Sequence, residues 1–103
     1  MNNSEIKKLV DLSVKDLLEY PNNWIFDDQL WYVTAYHKYN HININIKNDV
    51  LVFSVNISGV QIPFLLQFKL RSAYWKARKF VEGNSKQKTI EKLISKLEGS
   101  KND

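Results

Sequence analysis

Ile6, Leu9, Val10, Ser13, Leu17 and Leu18 recur at three- and four-residue spacing, which puts side chains on one face of an amphipathic α-helix. Ser4 stands where an N-cap would accept from a first-turn amide, Glu5 suits the positive end of the helix dipole, and Pro21 stops the segment. Pro21-Asn22-Asn23 is a turn cluster, and Trp24-Ile25-Phe26 reads as an apolar lid or short strand that leads into Asp27-Asp28.

From Leu30 to Leu70 the period changes to two, predicting four antiparallel strands joined by three tight turns. A two-residue turn at Ser58-Gly59 opposes Ile57 with Val60, Val55 with Ile62, Phe53 with Phe64 and Leu51 with Leu66. A turn at Asn48-Asp49 sets Ile46 against Leu51, Ile44 against Phe53 and Ile42 against Val55. A turn at Asn40-His41 sets Tyr39 against Ile42, His37 against Ile44 and Ala35 against Ile46, with Val33 and Trp31 following on the same face. A one-residue slip at any turn would bury Asn43, Asn45, Ser54 and Asn56, so pattern and turns support each other. Pro63, which lacks an N–H, places the strand from Val60 to Leu70 at a sheet edge.

Ser72 to Val81 reads as a helix ending near Gly83, and Ile90, Leu93, Ile94 and Leu97 form a second stripe capped by Asn84 or Ser85. The expected architecture is an α+β two-layer sandwich: an N-terminal helix, a four-stranded antiparallel β-meander, and one or two C-terminal helices on the apolar sheet face. Residues 1–103 make one domain, with about 1–3 and 99–103 frayed.

Composition narrows the chemistry. A chain of 103 residues that is 44% hydrophobic supports one core. It has no cysteine, hence no disulfide, thiolate metal site or cysteine nucleophile. The N-terminus lacks a signal-peptide pattern and no apolar run approaches a membrane span, so the expectation is a cytoplasmic protein without a membrane partner. Residues 1–50 hold five Lys against seven acids, whereas residues 51–103 hold ten Lys and Arg against four. The basic half invites a nucleic-acid reading. The bias toward Lys, Asn and Ile is that of an AT-rich genome.

Two surfaces are candidates. Strand alternation sends Tyr32, Thr34, Tyr36, Lys38, Asn43, Asn45, Lys47, Ser54, Asn56, Gln61, Gln67 and Lys69 to the polar sheet face. Aromatic side chains there would stack bases while lysines follow phosphates, although a solvated strand face has the same composition. Val52 and Leu65 add a small apolar patch suited to a protein partner or a homodimer. The second surface is the segment from Lys69 to Phe80, in which Arg71, Trp75, Arg78 and Lys79 share one side of a helix and Lys76 adds a cation. Its aromatic residues would equally serve as core. Lys86 and Lys88, in the first turn of a second helix, would oppose the dipole and favour an anion there.

Catalytic machinery is not expected. His37 falls on the core face and His41 in a turn, and Asp27 and Asp28 point to opposite sides of an extended segment. Gly59, Gly83 and Gly99 are too scattered to cradle phosphate, so neither cofactor nor metal is expected. Gly83-Asn84-Ser85-Lys86-Gln87-Lys88 is similar to the glycine- and lysine-bearing tract that opens the second helix of double-stranded RNA-binding domains, with four strands here in place of three. A four-stranded meander followed by a helix also resembles the Whirly and Pur-type single-strand binders in topology alone. The first expectation is a non-enzymatic module that binds nucleic acid, single-stranded or structured, with salt-sensitive affinity. The alternative is a small protein-binding inhibitor or adaptor, such as a phage or mobile-element protein that blocks a host protein, and edge strands or the polar sheet face would allow a homodimer.

Overall fold

The computed structural model describes residues 2–48 and 53–100. Helix α1 runs Asn3–Glu19 and is capped by Asn2, not Ser4: Glu5 N–H donates to Asn2 Oδ1 at 2.9 Å, and Asn2 Nδ2 donates to Glu5 Oε1 at 3.2 Å. Asn2 and Glu5 are three residues apart, the capping-box interval. Val10, Ser13, Val14 and Leu17 are its buried face, while Leu18 is half exposed. Tyr20 N–H closes on Asp16 O at 2.8 Å, and a 3-10 turn, Pro21–Asn23, follows.

Five strands then form one antiparallel sheet in chain order: β1 Trp24–Asp28, β2 Tyr32–His37, β3 Asn43–Asn48, β4 Phe53–Ile57 and β5 Val60–Gln61. The expected count was four. The additional strand is the Trp24-Ile25-Phe26 segment, which pairs Trp24 with His37 and Asp28 with Val33. That pairing needs a turn at Gln29-Leu30-Trp31, so Leu30 and Trp31 are exposed at a hairpin tip and Trp31 is not on the core face.

Both central registers differ from expectation by an even number of residues. Ala35 pairs with Ile44 and Val33 with Ile46, because the β2–β3 connection is a wider loop in which His37 Nδ1 accepts from Tyr39 N–H and Asn40 N–H, each at 3.1 Å. Tyr39 is thereby exposed instead of paired with Ile42. Ile46 pairs with Val55 and Ile44 with Ile57; the turn expected at Asn48-Asp49 and the pairs of Leu51 lie outside the described residues. Even shifts conserve the face, so Ala35, Ile44, Ile46, Val55 and Ile57 are all buried as expected. Ser58 and Gly59 have φ 48° and 85°, the paired positive values of a two-residue hairpin turn, and Ile57 meets Val60 as expected.

The largest correction is helix α2, Phe64–Ser100. Strand β5 ends at Gln61, with Ile62 N–H still donating to Val55 O at 2.9 Å as the expected pairing requires, and Pro63 O accepts from Leu66 N–H and Gln67 N–H at 3.0 and 3.2 Å, so Pro63 opens a helix instead of lying in an edge strand to Leu70. Phe53 and Phe64 still meet, with ring centroids 5.8 Å apart, but as a sheet-to-helix contact. Leu70, Ala73, Tyr74 and Ala77 supply the buried side of α2. The helix does not break at Gly83, Asn84 and Ser85 cap nothing, and the helix runs on through Gly99 to Ser100. Gly83 has no positive φ, and no proline interrupts the 37 residues. At about 1.5 Å per residue such a helix is about 55 Å long, which accounts for the 66 Å long axis of the molecule.

Both helices lie on the apolar sheet face, where Val10, Val14 and Leu17 join the strand residues, Ile62 and the buried side of α2 in one core. Trp24 Nε1–H donates to Asp16 Oδ2 at 2.7 Å, and His37 Nε2 lies 3.1 Å from the same oxygen, tying β1 and β2 to α1. The His37 ring thus lies on the core face, as expected, held by Asp16 and by the loop amides.

Candidate nucleic-acid interface

The other face of the sheet is covered by no described element. The register sorts its side chains into rows. Asp27, Thr34, Asn45, Asn56 and Gln61 run across all five strands, with Ile25, Tyr36 and Asn43 on one side and Tyr32, Lys47 and Ser54 on the other. Rows two residues apart are about 7 Å from one another, and strands are about 4.8 Å apart. Tyr32 and Tyr36 are each 40% exposed and stand about 13 Å apart along β2. Thr34 between them is fully buried, and its hydroxyl has no hydrogen-bond partner.

The expected site residues fall into two groups on opposite sides of the molecule. Tyr32, Tyr36 and Lys47 are on the open face, and Lys38 follows β2 at the same end as Ile25, its N–H bonded to Asn23 O at 2.8 Å. Lys69, Arg71, Trp75, Lys76, Arg78 and Lys79 are on α2, behind the sheet. Lys69 and Gln67 leave the sheet face because their segment is helical: Lys69 Nζ reaches Asp11 Oδ1 on α1 at 2.7 Å, and buried Gln67 donates to Ile62 O at 2.7 Å. Leu65 moves with them onto α2, while Val52 lies outside the described residues.

The two arginines turn inward. The Arg78 guanidinium, only 11% exposed, reaches Asp28 Oδ1 and Glu82 Oε1, each at 2.8 Å, and donates to Tyr74 Oη at 3.1 Å. Its hydrogen bond to Asp28 raises its pKa and lowers that of the carboxyl, while burial pushes the Tyr74 hydroxyl up. Arg71 lies over the Phe53 ring at 3.9 Å from its centroid, and burial lowers its pKa. Trp75 stays 46% exposed, beside exposed Lys76 and Lys79. The tract from Gly83 to Lys88 lies within α2, so its likeness to a helix-opening RNA contact fails, and Lys86 and Lys88 face no helix N-terminus.

Sequence reasoning missed Ile25 and Asp27 as members of the open face, though the alternation of Trp24 and Phe26 with Ile25 carried the signal. Among the described residues no group of three or more His, Asp or Glu could hold a metal ion, and no helix is long and apolar enough to cross a membrane. Asp27 and Asp28 end a strand: Asp27 accepts from Asp28 N–H and the Gln29 amide, while Asp28 takes Arg78. No protein-family model, curated protein or solved structure matches the chain.

Proposed function

We propose that this chain is a non-enzymatic module that takes single-stranded nucleic acid on its uncovered sheet face. The observation that carries this reading is the row arrangement: Asn45, Asn56 and Gln61 form a line of amides flanked by half-exposed Tyr32 and Tyr36. Bases stack on such rings, and amides reach base edges. Lys47 and Lys38 supply the phosphate contacts, while Asp27 offsets one of them. With about two phosphates neutralised, log affinity should fall against log salt with a slope of only about −1.4. The steep salt dependence expected from the sequence is therefore replaced by a shallow one.

Fluorescence anisotropy with labelled single-stranded DNA and RNA at several salt concentrations tests this. Tyr32→Ala and Tyr36→Ala should each weaken binding about 5- to 150-fold, the equivalent of about 1–3 kcal/mol per stacked base. Charge reversal at Lys76 and Lys79 should leave it within about twofold. No binding at low salt, or binding lost with the lysines and untouched by the tyrosines, would sink the reading.

A protein-docking role is the second reading, favoured by Leu30 and Trp31, 84% and 73% exposed at the β1–β2 tip. Side by side at the tip, the two side chains form a small apolar patch that a protein partner would cover. A stoichiometric protein complex that survives nuclease and is lost with Trp31→Ser would support it.

A further inference from the structure

Every residue of α2 from Glu82 to Gly99 is exposed, about 27 Å of helix beyond the core. A helix with no buried face is marginal in water. This arm nevertheless carries Ile90, Leu93, Ile94 and Leu97 at i, i+3, i+4 and i+7, each 49–66% exposed. At 100° per residue the stripe continues the side of α2 that presents exposed Ser72 and Lys79, not the side that buries Leu70, Tyr74 and Ala77. A straight α2 therefore turns the stripe away from its own domain.

We infer that the stripe is a self-association seam, and that its occupant is the same arm of a second copy, aligned in parallel. Ile90 and Leu97 fall at d positions of a heptad and Ile94 at a, with Gln87 as the preceding a residue. Glu91 and Glu98 then occupy e, and Lys86 and Leu93 occupy g. In a parallel pair g of one helix faces e of the next heptad in its partner, so Lys86 meets Glu91 of the second copy twice by symmetry. An antiparallel pair would face the acidic flank with itself. In the second heptad, Ile94 at a with Leu97 at d is also the combination that favours two parallel strands, while the first heptad has Gln87 at a and Ile90 at d. Because the seam is turned away from the side of α2 that packs on the sheet, the two sheets end on the outer sides of the pair. This seam is distinct from the edge-strand or sheet-face dimer considered from sequence, and it leaves the open sheet faces free.

Four half-exposed aliphatic side chains per copy fall well short of a standard interface of about 1,600 Å². The dimer is therefore weak and builds up between about 10 µM and about 1 mM. Sedimentation equilibrium of the full chain over that range, without nucleic acid, should show the mass rising from 12.1 kDa toward twice that value. Ile94→Lys with Leu97→Asp, both at exposed positions, should hold it at the monomer while leaving the urea midpoint of the domain unchanged. Since the chain has no cysteine, a single Gln87→Cys reports orientation: mild oxidation should give a disulfide-linked dimer. A monomer at the highest concentration, a dimer that persists in the double variant, or a dimer that Gln87→Cys fails to cross-link would each overturn the inference. A chain that stays monomeric but binds phosphatidylserine vesicles through the stripe would overturn it too, assigning the arm to a lipid surface. These readouts are independent of the sheet-face reading, since none involves nucleic acid.

Discussion

Replacing Gly83 with alanine separates a continuous α2 from a broken one by the sign of the effect. Gly83 is helical, and a Cβ built on it meets nothing within 4 Å. Alanine there should favour the helix by about 0.8–1 kcal/mol, because glycine loses more backbone entropy on ordering. About 1 kcal/mol multiplies the ratio of intact to frayed arm by about five. Every residue of the arm from Glu82 to Gly99 is exposed, so the gain should appear locally. Ellipticity at 222 nm should rise, and backbone amides from about residue 84 to 98 should exchange more slowly, with the urea midpoint of the domain unchanged. If Gly83 instead ended one helix in the left-handed conformation, alanine would cost about 1–2 kcal/mol. Lower ellipticity and faster exchange beyond residue 83 would refute the continuous helix, and with it the stripe geometry.

Three further outcomes follow from the contacts. Tyr74→Phe removes a buried hydroxyl that donates to Thr34 O and accepts from Arg78, each at 3.1 Å; urea unfolding should show a loss of about 1–2 kcal/mol, and an unchanged midpoint would show that the network carries no stability. Asp11 and Asp28 have carboxyl pKa values lowered by hydrogen bonds from Lys69 and Arg78, so their contribution is present above the unfolded carboxyl value near 4 and is lost as pH falls through the lower folded values. Asp11→Asn with Asp28→Asn should accordingly melt below the parent at pH 6 and converge with it near pH 2; an equal deficit at both ends would point to lost packing instead. Ser58 holds a positive φ of 48° before Gly59, and Ser58→Asn should raise stability by a few tenths to about 1 kcal/mol, since asparagine tolerates that conformation better in this turn; a fall would mean that the long 3.3 Å bond from Asn43 N–H to Ser58 Oγ matters more.

The face each strand residue takes was legible because a period of two fixes parity, and parity survived every register error. Ala35 was expected opposite Ile46 and lies opposite Ile44, yet both partners are core. Exact register was not legible, since it depends on loop length, and the β2–β3 loop is set by His37 Nδ1 accepting two backbone amides. The run from Val60 to Leu70 is apolar enough to satisfy either period. Its helical phase shows only when Leu70, Ala73, Tyr74 and Ala77 are taken with it, beyond the expected strand end. That misreading displaced Lys69 from the candidate site. The tyrosines were placed correctly because they sit in β2, whereas the inward turn of Arg71 and Arg78 depends on the helical phase and on Phe53 and Asp28, residues distant in sequence.

The most direct test of the proposed interface is a heteronuclear NMR titration of the full chain with a short single-stranded oligonucleotide. Binding on the open sheet face predicts dose-dependent shifts in the amides of Tyr32, Tyr36, Asn43, Asn45, Lys47 and Asn56, with α2 silent around Trp75, Lys76 and Lys79. Shifts confined to α2, or none at all, would contradict it.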